Sequence, residues 1–160
     1  MKELLLFGLS VALSFGAWGY VSIAYIWPAL RIRGIWDASR PILVLHLFRF
    51  VGAAFMIKGV AAPDLPSAFA APAAYGDLVA VVLAWLAIAL RRTKLFRPAL
   101  WAFNLWGTAD LLFAFFQGLY GVRIEAGALG ATFFIPTVYV PLLLCTHVIV
   151  FALLAQRGTR

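Results

Sequence analysis

Charge is scarce in this chain. Lys, Arg, Asp and Glu make up 12% of its 160 residues, about half the roughly 25% of an ordinary soluble domain. With 65% of the residues apolar, too little polar surface is left to coat a soluble globule. A disordered chain is excluded as well, since disorder needs low hydrophobicity. A collagen is excluded by the lack of a Gly-X-Y period. Cys145 is the single cysteine, which excludes a disulfide framework and a cysteine-based zinc site. Also missing are an H-E-x-x-H pair, a phosphate-cradling glycine loop and a nucleophile elbow, so no enzyme class has a positive motif. What the chain does have is long apolar runs, and these imply a small all-α integral membrane bundle.

A membrane span needs about 20 mostly apolar residues to cross about 30 Å of hydrocarbon. Five segments meet or approach that length, at about 4–30, 41–60, 77–90, 98–120 and 128–155. The first is too long for the apolar core of a secretory signal and is read as a span. RIRGIWDASR at 31–40 reads as a charged loop, with Pro41 in the first turn of the second helix. Pro63, Pro66 and Pro72 make 61–76 read as a loop lying on the membrane. Pro136 and Pro141 fall inside span five and predict kinks. Ser10 with Ser14, and Ala12 with Gly16, have the small-residue spacing that lets helices approach, here read as packing inside the bundle.

The formal net charge is +7. The basic residues fall in short loops and form no stripe, which argues against a nucleic-acid partner and for membrane lipids. Arg31, Arg33, Arg40, Arg91, Arg92, Lys94, Arg97, Arg157 and Arg160 fall on one side of the spans, against Lys2 and Arg123 on the other. Short loops rich in Lys and Arg stay in the cytoplasm. The expectation is an inner (plasma) membrane protein with its N-terminus outside and its C-terminus cytoplasmic.

Ionisable groups inside a span are costly and mark function by default. At about 1.5 Å per residue, His46 is roughly 8 Å deep, Arg49 and His147 roughly 12 Å, Asn104 roughly 9 Å and Asp110 roughly 18 Å. His46, Arg49, Asn104, Asp110 and His147 are therefore the expected ligand-binding residues, at a site leaning to the cytoplasmic side. A guanidinium keeps its proton in a protein, so Arg49 needs a partner, and Asp110 is the one deep carboxylate in this assignment of spans. Asn104 points about 120° away from Asp110 on a helix, which limits how compact the site can be. Lys58 is expected to snorkel to the interface, and Asp64 and Asp77 to cap the proline loop.

Three functions compete. The first is binding, and translocation, of a small ligand or proton at this polar site. The second is a b-type haem held between His46 and His147, which lie at matching depth. The third is an accessory subunit of a membrane complex, whose polar residues only hold the fold and whose partner is a membrane protein or a second copy. In length, in its five spans and in its six tryptophans the chain resembles the tryptophan-rich sensory protein family. The resemblance implies a porphyrin- or lipid-binding bundle of this size. The family's W-x-P-P segment after the first helix is replaced here by RIRGIWDASRP, and FNLWGTADLLFAFF in span four is only loosely similar, so no residue is carried over.

The basic asymmetry predicts that single cysteines placed in 91–97 react with a membrane-impermeant maleimide only after the cells are opened. Labelling of that loop in intact cells overturns the orientation.

Overall fold

The computed structural model describes residues 2–156. The calls on Arg157, Arg160 and the C-terminus lie outside the described residues. Among the described residues, five helices are long and apolar enough to cross a membrane: α1 (Lys2–Leu30), α2 (Ile35–Met56), α3 (Ser67–Ala89), α4 (Phe96–Gly121) and α5 (Ile135–Gln156). The all-α bundle of five spanning-length helices is thus as expected. Tight loops at 31–34 and 90–95 form one end of the bundle, the basic end. The longer segments 57–66 and 122–134 form the other.

Three boundaries differ from the sequence reading, each for a local reason. Helix α2 starts at Ile35, so most of the charged segment is its first turns. Gly34 precedes it, and Asp37 stands in the first turn, where a carboxylate complements the helix dipole. Pro41 is consequently inside the helix. Helix α3 starts at Ser67, ten residues before the expected boundary. Its first turns are alanine-rich, and alanine is the best helix former. Pro72 is tolerated there because Gln117 Nε2 of α4 donates to the Ala68 carbonyl at 2.6 Å. That carbonyl lies four residues back and has lost its helical donor to the proline ring. Helix α5 starts at Ile135. Pro136 is therefore in its first turn and does not kink an interior, and a π turn over Ile135–Tyr139 precedes Pro141. Residues Ala126–Phe133 form a separate 3-10 segment broken at Gly130, whose φ of 54° and ψ of −135° suit only glycine. Around it the two long loops pair, with Ala131 N–H donating to the Val60 carbonyl and Ala62 N–H to the Ala128 carbonyl. Lys58 is exposed in the first of these loops, beyond the end of α2.

Helix α3 is the centre of the packing, between α2 and α4. Its buried face is small: Ala70, Ala73, Ala74, Gly76, Ala80, Ala84 and Ala87. Lipid is as apolar as leucine, so helices associate in a membrane by close contact and polar bonds, and small residues permit the contact. Helix α5 packs on α4 and α2, and α1 packs chiefly on α5 and touches α2 through its last turn at Trp27–Leu30; on α5, Trp18 Nε1 donates to the Val138 carbonyl. Helix α1 is otherwise open. Ala12 and Gly16 are exposed and Ser10 and Ser14 only half-buried, so the expected internal packing of the first pair is not found.

The two halves of the bundle have separate cores. Near the basic end Ile42, Leu43, Leu100, Phe103, Val150 and Leu153 interlock, all within 3% of full burial. Near the other end a looser core is built on Phe7, Phe55, Phe69, Leu111, Leu129 and Leu143.

The Gln117–Ala68 bond carries a prediction. Gln117→Leu should cost about 0.5–1.5 kcal/mol, the net worth of one hydrogen bond, and clearly less in a Pro72→Ala background, where an alanine supplies the missing N–H. Equal costs in the two backgrounds, measured by unfolding in mixed micelles, refute the link.

Candidate functional site

Helix α2 changes geometry where the site begins. It is α-helical over Ile35–Leu47 and 3-10 over Phe48–Met56. Side chains three apart eclipse in a 3-10 helix, so Arg49, Gly52 and Phe55 all lie buried in one line below His46. A continuous α-helix would rotate Gly52 and Phe55 progressively away from that line. Runs of 3-10 beyond three or four residues are uncommon, and this nine-residue one is held at its start by Tyr139, whose hydroxyl donates to the Leu45 carbonyl at 3.2 Å.

Arg49 is fully buried. Its Nε donates to Asp77 Oδ1 of α3 at 2.6 Å and its Nη2 to Asp110 Oδ2 of α4 at 2.5 Å. Nη1 donates to the Gly107 carbonyl, also of α4, at 3.3 Å. The expected Arg49–Asp110 pair is present, but it is half of a three-residue cluster. Asp77, expected to cap a loop, stands mid-helix in α3, 7% exposed, because α3 starts at Ser67. With both carboxylates ionised, two negative charges face one positive charge. Asp77 Oδ2 and Asp110 Oδ1 accept no hydrogen bond among the described residues.

Three glycines make room for the cluster. A Cβ on Gly52 would strike the Asp77 carboxyl, and one on Gly76 the Asp110 carboxyl. A Cβ on Gly107 would lie 2.5 Å from His147 Nε2 and 2.9 Å from Arg49 Nη1. Each helix that supplies a charge thus carries a glycine where a neighbour's side chain crosses. These glycines were missed in the sequence. Their signal is an intramembrane glycine three or fewer positions from an ionisable residue.

The histidines form a second layer on the basic-end side of Arg49. Thr146 Oγ1 donates to the Leu143 carbonyl at 2.8 Å, so it accepts from His46 Nε2–H at 3.0 Å. Asn104 Nδ2 donates to the His147 carbonyl at 3.2 Å, which turns Oδ1 to accept from His147 Nδ1–H at 2.7 Å. These bonds set both tautomers and leave His46 Nδ1 and His147 Nε2 buried without a partner among the described residues. The five expected site residues therefore come together as two connected sets: Arg49 with Asp110, and His46 with His147 and Asn104. Gly107 joins them along α4. The separation of Asn104 from Asp110 anticipated from helix geometry is the separation between these layers.

The imidazoles touch, with ring centroids 4.3 Å apart, and Phe103 packs against both at 5.0 and 5.3 Å. Two axial imidazoles flank a porphyrin plane through an iron about 2 Å from each nitrogen. Rings in direct contact leave no slot for that plane, and one nitrogen of each ring is already bonded to a side chain. The residues do not fit a haem. The position of the site also differs from the expectation. Arg49 is about 20 Å along α2 from Ile35, near the middle of the bundle and not toward the basic end.

On the other side of the cluster an apolar cavity of about 50 Å³ leads from Asp77 and Asp110 toward Leu4, Ile124 and Ala126. The site is thus reached from the end of the long loops and sealed by packed side chains toward the basic end.

Fold and site together define a bundle of five spanning-length helices joined at its centre by one guanidinium shared between two carboxylates. The chain belongs to the family described as a domain of unknown function (DUF8737), which matches residues 6–155. No curated protein and no solved structure matches it.

The charge excess orders the variants. Arg49→Ala strands two carboxylates and should cost about 3–5 kcal/mol. Asp110→Asn leaves a neutral Arg49–Asp77 pair and should cost clearly less. Unfolding in mixed micelles checks the order, and an Asp110→Asn loss as large as that of Arg49→Ala contradicts it.

Proposed function

We propose that this protein binds a proton or small monovalent cation at the Arg49–Asp77–Asp110 centre and passes it across the membrane. One observation carries the reading: the cluster holds one more carboxylate than guanidinium while its side chains are at most 11% exposed. An uncompensated charge in a low-dielectric interior costs several kcal/mol even after relaxation. Uptake of one positive charge removes that cost. The bare lone pairs of His147 Nε2 and His46 Nδ1 are the next acceptors beyond Arg49, and histidine is suited to carry protons near neutral pH. The cavity side is the entrance, and the packed core around Leu43, Leu100 and Val150 is the barrier to be crossed. With basic loops on the cytoplasmic side of the inner membrane, entry is from outside.

A second reading, an accessory subunit, is favoured by α1. Gly8, Ala12 and Gly16 lie four apart on an exposed face, and a Cβ on Gly8 or Gly16 would meet nothing within 4 Å. This is the surface by which membrane helices associate closely, with a partner protein or a second copy.

Infrared difference spectroscopy of the protein in lipid tests the first reading. A protonated-carboxyl stretch is expected at neutral pH, lost in Asp77→Asn and in Asp110→Asn and diminished by Na⁺ or K⁺ if a cation competes. Liposomes carrying the protein should dissipate an imposed pH gradient faster than liposomes carrying Asp110→Asn. With no such band, no cation effect and equal dissipation, the proposal falls and the accessory reading replaces it.

A further inference from the structure

Both signs of charge meet in an open cleft at the long-loop end. The cleft measures about 800 Å³ and lies between the first turn of α1, the last turn of α4 and the loop that follows α4. Lys2, Glu3, Arg123 and Glu125 line it, all of them exposed. Two cations and two carboxylates thus stand around one space, yet none of the four forms an ion pair with any described residue. The loop that carries two of them is strained. Arg123 has a φ of 56° and is the one described residue other than glycine in the left-handed region, and strain of this kind gathers at ligand clamps. Glu3 extends from α1 over the same loop, its Oε2 3.4 Å from where a Cβ on Gly127 would stand.

The floor of the cleft is apolar. Leu4, Leu119, Ile124 and Ala126 line both the cleft and the mouth of the inner cavity. That cavity, at about 50 Å³, has no room for a lipid chain. The flank is open to lipid instead: α1 and α4 border the cleft and barely touch each other, and Leu5, Leu6 and Leu9 of α1 are more than half exposed. Ligand sites run to roughly 300–1,000 Å³, so the cleft admits a polar head group while the chains attached to it stay in the bilayer beside α1.

Charge balance narrows the class. Two cations and two carboxylates match a zwitterion, with a phosphate for Lys2 and Arg123 and a cation bearing N–H donors for Glu3 and Glu125. A guanidinium suits phosphate because its planar fork can donate twice. An anionic head group would leave both carboxylates facing negative charge, and a choline head group has no N–H to donate. A soluble zwitterion would have nothing to lay on the apolar floor.

We propose that the cleft binds phosphatidylethanolamine, with its phosphate at Lys2 and Arg123, its ammonium at Glu3 and Glu125 and its chains along the exposed side of α1. This goes beyond the proton or cation centre and does not depend on it. No bond is made or broken.

The test is native mass spectrometry of the full chain released from nanodiscs. These hold equal amounts of dioleoyl phosphatidylethanolamine, its N,N-dimethyl derivative and dioleoyl phosphatidylcholine, which share phosphate and chains and differ in N–H donors. Retention of ethanolamine over choline lipid by about threefold or more is expected, the size that two exposed charge pairs provide, with the dimethyl lipid between. Glu3→Gln with Glu125→Gln should abolish the preference, and Arg123→Gln should lower retention of all three lipids. Asp64→Asn, an exposed carboxylate at the same end outside the cleft, should leave the preference unchanged. Should the double variant not fold, Glu125→Gln alone carries the same test through a reduced preference. Equal retention of the three lipids, or a preference untouched by the glutamine changes, overturns the proposal. Displacement of the lipid by glycerophosphoethanolamine, which has the head group without chains, overturns it in favour of a soluble zwitterion.

Discussion

The guanidinium of Arg49 is the constraint on which the rest of the bundle depends. It reaches from α2 to α3 through Asp77 and to α4 through Asp110 and the Gly107 carbonyl. In a membrane the hydrophobic effect does not press helices together, so a polar centre of this kind fixes which helices are neighbours. Its presence explains other choices. Helix α3 offers alanine and glycine to its neighbours because the charges meet only if the backbones approach closely. The end of α2 is 3-10 because that geometry lines Arg49, Gly52 and Phe55 along one face.

The same centre divides the bundle into unlike halves. Toward the basic end, aliphatic and aromatic side chains close around the two imidazoles. Toward the long loops, the packing is looser and a cavity reaches the carboxylates. A side chain that replaces a lost backbone bond lies in this half too, Gln117 serving the carbonyl opposite Pro72. A half with more irregular backbone is easier to rearrange, because fewer of its bonds are part of a continuous ladder. A solute path of the kind proposed would draw on that difference, with the tight half as the barrier and the loose half as the entrance.

Several features of this arrangement were legible in the linear chain. Apolar runs of spanning length, broken by short charged turns, determine five membrane-length helices, because no other secondary structure satisfies an isolated apolar segment in lipid. Arg49 and Asp110 were identifiable as a pair because one is the deep guanidinium and the other the one deep carboxylate of the expected spans. His46, His147 and Asn104 belong together because helical rise puts them at similar depth.

Other features were decided only by tertiary structure. Proline normally marks a boundary, so Pro72 hid the first ten residues of α3 and placed Asp77 in a loop. Only the contact with Gln117 makes that proline acceptable within a helix. The change from α to 3-10 in α2 is similarly invisible, since the two pitches differ by a fraction of a residue per turn and the choice follows from what the side chains meet. The contact of the two imidazoles, which removes the haem, depends on helix rotation, and helical rise gives depth without direction. Sequence by itself determined how many times the chain traverses the bundle and which residues are too polar to face lipid. Which of those residues touch was decided by the packing of α3, because its small face sets how closely α2 and α4 approach.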